Sequence, residues 1–405
     1  MKINVRYADD ANVNYDFVHI LEYLELYQLS ETFATGDIKN FKINNQFGPV
    51  AGETNITVMY WANVFRVPES AVGPDEYLIV NCYTEAGNIL TDNFANALKK
   101  FKCKKLFLLV NGYWDKDIFK YDLDYEIMYW PFWLKSYSAS ILNPQDINFW
   151  QLSQHNKQTL TPTKDFNLLM GKYRKERHMM AVKMNEAGLL DHGIVSYKNQ
   201  HKPSPDFASY SWNNGFDQFL LKSYNIASVP DLSKPLPDDV QLLKDRWPFA
   251  GTFDKFQSPY GTRVIRSLDH VLPIKLTLLT KFSVVVETSV FNNNFHITEK
   301  LIRPIILKHP FLAFSSKGFL KYLQQIGFKT FSPIVDESYD DIEDIEERCA
   351  AIVAETKRLV ETDSIVNNKD EIEAICQHNY QVLCSMHTYF SDCVSEINKQ
   401  LLINN

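Results

Sequence analysis

Short apolar runs recur along the chain, separated by stretches of helical spacing, and their order predicts an alternating α/β protein. Tyr77-Leu78-Ile79-Val80-Asn81 and Lys105-Leu106-Phe107-Leu108-Leu109-Val110-Asn111 bracket a helical pattern over 91–101, and Tyr125-Glu126-Ile127-Met128-Tyr129 follows as a third run. Apolar runs joined through a helix form βαβ units in a parallel sheet. A second series opens at Phe166-Asn167-Leu168-Leu169-Met170, passes through a helix over 175–186 that stops at Gly188, and turns into a strand around Ile194-Val195. Phe282-Ser283-Val284-Val285-Val286-Glu287 has the clearest buried-strand pattern. Beyond it a helix starts at Thr298-Glu299-Lys300, a strand covers Pro310-Phe311-Leu312-Ala313-Phe314, a helix over 317–326 stops at Gly327, and Lys329-Thr330-Phe331 reads as one more strand. This alternation predicts a doubly wound sheet.

Other stretches are less periodic. Residues 1–75 suggest only a helix over 15–27 and a strand over 56–64. Residues 143–166 read as a connector, 198–272 as loops and short helices, and the chain from 341 onward as helical and acidic with a break at Asn367-Asn368. The expected organisation is an α/β domain over 1–160, a second over 161–365, and a helical segment over 366–405 that packs back on the first.

Composition fits that picture. The 405 residues suffice for two domains, and 45% hydrophobic with 22% charged residues excludes a disordered or low-complexity chain. With 42 Lys and Arg against 49 Asp and Glu the net charge is −7, which argues against a protein whose main task is to hold a phosphate backbone. Aromatic residues reach 14%, crowd the first 150 positions and read chiefly as core. No apolar run reaches membrane-span length and no signal-peptide pattern opens the chain, so the expected location is the cytoplasm. Six cysteines without a CxxC pair point away from both a disulfide framework and a zinc site.

Two constellations could carry chemistry. In the first, Glu287 closes a buried strand, Thr298 can cap the next helix, and Glu299 and Lys300 sit in its first turn. The amides of a helix start attract anions, a carboxylate beside them accepts from ribose hydroxyls, and a lysine neutralises phosphate, so the set suits a nucleotide. An ordinary capped helix with solvated charges is the competing reading. In the second, Gly171-Lys172-Tyr173-Arg174-Lys175-Glu176-Arg177-His178 crowds basic groups around a strand-to-helix turn. Basic residues oppose the dipole of a helix start, which makes an anion between them more favourable. Its competing reading is a solvated basic helix start.

Glu287-Thr288-Ser289 followed by Ile297-Thr298-Glu299-Lys300-Leu301, an apolar helix, Pro310-Phe311-Leu312 and Gly318 resembles the donor-binding motif of α1,3-fucosyltransferase-like glycosyltransferases. Thr288 stands where that motif has Asn, and the intervening loop is longer. The resemblance implies a GT-B architecture, two Rossmann-like domains facing each other, with the carboxyl-terminal one binding a nucleotide-sugar and the amino-terminal one on the acceptor side. It also implies that Glu299 contacts ribose, Lys300 the diphosphate, and Glu287 the nucleotide or sugar, with Arg177 and then Arg174 as diphosphate ligands. His296, just before the motif, is a further candidate for a sugar or phosphate contact. The run from Gly171 to Tyr197 is similar to a group of phage glycosyltransferases, for which the location would be the host cytoplasm.

The expected function is therefore transfer of a sugar from a UDP- or GDP-linked donor to an acceptor hydroxyl, with no tightly bound cofactor and no required metal. Inversion follows if the likeness extends to chemistry; retention would read Glu287 and Glu299 as loosely paired glutamates. A catalytic base is expected from the amino-terminal half, with Asp115 first and Glu53 and Glu126 behind it. The DxD triplets Asp115-Lys116-Asp117 and Asp122-Leu123-Asp124 are weak metal candidates, and the acidic run over 336–347 reads as a solvated helix face. The acceptor on the phage likeness is a 5-hydroxymethylpyrimidine of DNA; a bacterial surface glycan competes, as does a non-catalytic nucleotide-sugar or glycan-binding protein. Oligomeric state is left open, and no GxGxxG turn supports an oxidoreductase.

Overall fold

Two parallel sheets organise the chain, one in each of two compact units. The computed structural model describes residues 3–7, 41–43, 54–60, 64–82, 92–114, 122–142, 152, 160–170, 175–196, 254–258, 261–265, 272–290, 294–386, 389–390 and 392–393. Of these, residues up to Phe132, with the short stretch after Met386, form one unit, and those from Trp133 to Met386 form the other. The fold is α/β, and its sheets are compatible with a Rossmann-like layout.

In the first unit, β1 (Ile3–Tyr7), β2 (Phe41–Ile43), β3 (Thr54–Tyr60), β4 (Tyr77–Asn81), β5 (Lys105–Val110) and β6 (Glu126–Tyr129) make a six-stranded sheet ordered β2-β1-β3-β4-β5-β6. Every pairing in it is parallel. All five residues of β4 are buried, as a central strand covered on both faces requires. The helix α1 (Asp92–Leu98) lies between β4 and β5 in the chain and contributes Phe94 and Leu98 to a core with Leu78, Val80, Leu106 and Leu108. The strands β1 and β2 fall in the stretch that periodicity leaves unread, because Ile3-Asn4-Val5-Arg6-Tyr7 alternates with polar residues instead of forming an apolar run. The helix expected over 15–27 lies outside the described residues, as does most of the expected connector and all of 198–253.

In the second unit, β7 (Lys164–Leu169), β8 (Gly193–Ser196), β9 (Thr280–Val286) and β10 (Phe311–Phe314) form a parallel sheet ordered β10-β9-β7-β8. Its helices include α2 (Lys175–Glu186), α3 (Glu299–Ile306), α4 (Phe319–Gln325), α5 (Ile345–Thr362) and α6 (Lys369–Cys384). The pair α2 and α5 pack on each other and reach β9 and β10, while α3 packs on β9, β10 and α6 through Leu301, Ile302, Ile305 and Ile306. From β7 the chain steps outward to β8, then returns to β9 on the other side of β7. The strand order thus reverses between β7 and β9, and ligands of open α/β sheets bind beyond the carboxyl ends of the strands at such a reversal.

A polar chain crosses the apolar sheet between these two strands. Asn167 donates to Ser283 Oγ at 2.9 Å and to Thr280 Oγ1 at 2.8 Å. His309 Nε2 lies 2.8 Å from the Thr280 carbonyl, which can only accept, so Nδ1 accepts from Ser283 at 2.9 Å. The imidazole is neutral in this arrangement, and burial holds its pKa down to about 4.

Two expectations are corrected here. Lys329-Thr330-Phe331 is not a strand: the Asn379 side chain satisfies the Lys329 backbone, accepting from its N–H at 2.7 Å and donating to its carbonyl at 2.9 Å. The acidic run over 336–347 is a helix face only at its end, where Glu346 and Glu347 sit in the first turn of α5; ahead of that it supplies backbone acceptors. Within it Glu337 accepts from Phe331 N, Asp340 from Leu320 N and Lys321 N at the start of α4, and Asp344 caps α5 through Glu347 N. The helical break is set by Asp363, left-handed at φ 50°, and Asn368, which flank a short turn of helix at Ser364–Asn367.

Candidate functional site

At the carboxyl end of β9 the chain passes into Glu287, whose side chain is fully enclosed. Both carboxylate oxygens are engaged by the start of α3: Oε1 accepts from Thr298 N at 3.0 Å and Oε2 from Thr298 Oγ1 at 2.6 Å. Thr288 N also donates to Oε2 at 3.1 Å. Glu287 thereby fastens the strand end to the helix start. Burial raises its pKa, while Lys300 and the Thr298 hydrogen bonds pull the other way. These acceptor positions serve the chain itself and give Glu287 a positioning task at the strand end.

Thr298 caps α3 in extended conformation, its hydroxyl accepting from Lys300 N. Above this cap the Lys300 ammonium lies 2.6 Å from Glu299 Oε1, 3.1 Å from Thr288 Oγ1 and 3.2 Å from Thr298 Oγ1. Burial of Glu299 opposes its ionisation, yet Lys300 and Arg303 outweigh that and lower its pKa to about 2. A helix start, a fixed ammonium and an ionised carboxylate are thus gathered within one turn. Such a group can neutralise phosphate and accept from a hydroxyl.

The first turn of α2, which follows β7, lies at the same edge of the sheet. Its Glu176, Arg177 and His178 are 3%, 5% and 2% exposed. Consecutive helical residues point about 100° apart, so three buried in a row mean that this turn is enclosed on most sides. Among the described residues of this turn, Arg177 and His178 are therefore not solvated. Arg174 lies outside the described residues, and His296 is buried.

Sequence reasoning misses the backing of the site. The carbonyls of Ser289 and Val290 are held by Ser315 Oγ at 3.4 Å and by Arg348 Nη2 at 2.7 Å. Arg348, on α5, is 1% exposed and also donates through Nη1 to the Ile342 carbonyl at 2.5 Å. Nothing in local pattern announces an arginine that acts 58 residues from its partner.

Of the candidate bases, Asp115 and Glu53 lie outside the described residues, as does the triplet at 115–117. Glu126 opens β6, at the edge opposite the carboxyl ends, where Lys105 Nζ lies 2.5 Å from its carboxylate. In the other triplet, exposed Asp122 lies 3.7 Å from Lys99. Among the described residues, no helix is long and apolar enough to cross a membrane.

No protein-family model, curated protein or solved structure matches the chain.

Proposed function

We propose that the protein is a nucleotide-sugar-dependent glycosyltransferase of GT-B type whose donor binds at the carboxyl edge of the second sheet. The observation that carries the reading is the meeting of Lys300, Glu299 and the Thr298-capped start of α3 at the sheet's reversal point. In this reading the diphosphate takes Lys300 from Glu299, and the released carboxylate accepts from ribose. Arg177 and Arg174, at the start of α2, add positive charge. The acceptor oxygen attacks the anomeric carbon, the bond to the diphosphate breaks, and a base takes the hydroxyl proton. Fixed cations stabilise the departing diphosphate without a required metal. The acceptor class proposed first is a hydroxymethylated pyrimidine of DNA, and a surface glycan is the alternative. A shift of hydroxymethylated over unmodified duplex in a gel separates the two.

Calorimetric titration with UDP, GDP, ADP and CMP, with and without Mg²⁺, tests the donor site. We expect one diphosphate to bind without metal, and Lys300→Ala to weaken it about tenfold or more, the scale of a lost charge-assisted hydrogen bond. Absence of binding by all four nucleotides would falsify the reading.

A second reading, nucleotide binding without turnover, is favoured by one observation. Glu287, Thr288, Thr298, Glu299 and Lys300 already engage one another's polar groups, as a structural or purely binding element would. Hydrolysis of a bound nucleotide-sugar, or its transfer to an added acceptor, excludes it.

A further inference from the structure

The stretch from Glu287 to Val290 is pinned at each successive residue. Thr288 N donates to Glu287 Oε2, the Ser289 carbonyl accepts from Ser315, and the Val290 carbonyl accepts from Arg348. Val290 is fully buried and Ser289 is 5% exposed, so these carbonyls have no ready exchange with solvent. Thr288, whose hydroxyl accepts from the ammonium of Lys300, is thus set in place by partners behind the site.

Arg348 is the farthest of those partners. Its guanidinium is forked between two segments, with Nη2 on Val290 and Nη1 on the Ile342 carbonyl, and with the Glu343 carbonyl at 3.5 Å from Nη1. The segment it grips also supplies Asp340, whose carboxylate caps α4 and whose carbonyl accepts from Gly318 N at 2.8 Å. One side chain therefore couples the loop after β9 to the segment that sets the loop after β10. A planar fork with fixed donor directions suits this; a single ammonium cannot reproduce both directions.

We propose that Arg348 is a positioning residue for the anion site, acting through Val290 and Thr288 to hold the Lys300 ammonium where a diphosphate meets it. The proposal rests on the donor-site reading above and adds to it a control point outside the site. It predicts a selective fault: loosening Arg348 weakens recognition of the phosphates and spares recognition of the nucleoside.

The test is a double-mutant cycle read by calorimetry well below the unfolding temperature, using the best-bound nucleoside diphosphate and its parent nucleoside. Arg348→Lys is expected to weaken the diphosphate about tenfold while changing the nucleoside by less than about twofold. In a Lys300→Ala background the same change is expected to cost less than about twofold, because residues acting through one another do not add. Equal weakening of nucleoside and diphosphate, or effects that multiply in the double variant, would overturn the proposal and mark Arg348 as structural only. Should Arg348→Lys fail to fold, Thr288→Val carries the same cycle with the same expected outcomes, since it cuts the link one step nearer to Lys300. A wild-type protein that binds no nucleotide removes the donor-site reading and this proposal together. That outcome differs from an additive cycle, which removes this proposal alone.

Discussion

Single side chains decide whether the site is built. Thr298 gives Glu287 two of its hydrogen bonds while serving as the cap of α3, so Thr298→Val strips the buried Oε2 of its shorter hydrogen bond, leaving it that of Thr288 N, and removes the side-chain cap from a helix amide. We expect a loss of about 2–4 kcal/mol in urea denaturation, with Thr298→Ser retaining most of the stability. His309 provides a pH test. Its folded pKa of about 4 lies below the 6.5 of an ordinary imidazole, so the unfolded chain binds the proton first as pH falls. Its contribution is intact above about pH 6.5 and declines toward pH 4, by as much as about 3 kcal/mol. His309→Gln should flatten that difference; parallel losses in both proteins between pH 7 and 4.5 would rule it out. At this scale sequence reading identified Glu287, Thr298, Glu299 and Lys300 as a set, because three are contiguous and the fourth ends an apolar run. It could not tell that the start of α3 donates to Glu287, since a carboxylate's partners are a matter of three-dimensional reach. Arg348 was invisible for the same reason.

Elements were legible where their own composition sets them. The helix over 175–186 and the runs that became β4, β5, β7, β9 and β10 follow apolar patterning bounded by glycine or polar residues. Elements set by partners distant in sequence were misread, as with the segment at 329–331 and the part of the acidic stretch that caps α4. Two variants probe this level. A Cβ on Gly193 in β8 would lie 2.6 Å from the ring of Phe166, its register partner on β7. Phe166 is fully buried and packed 5.9 Å from Phe282, leaving the ring little room to retreat. Gly193→Ala should therefore cost about 1–3 kcal/mol by overpacking, measurable as a lowered urea midpoint. Removal of the remote cap by Asp340→Ala should cost about 1 kcal/mol, visible as a lower melting temperature. An unchanged melting temperature would mean that α4 does not depend on it.

For the molecule as a whole, each unit has its own parallel sheet, so unfolding need not be one cooperative event. Scanning calorimetry should resolve two overlapping transitions, of which only one moves upward with nucleoside diphosphate. At a concentration about 100 times Kd the linked stabilisation is about 2.7 kcal/mol. Movement of both transitions by the same amount would locate binding elsewhere than in the second unit alone. The bond between Glu287 and Thr298 has a further consequence for how such a protein can change. It joins the two feet of the connection from β9 to α3 by side chain, independently of how many residues span the gap. The length of that connection can thereby change by insertion or shortening during divergence while Lys300 keeps its address. Grafting two extra residues there should leave diphosphate affinity within about twofold, as expected when added loop length costs only a logarithmic entropy.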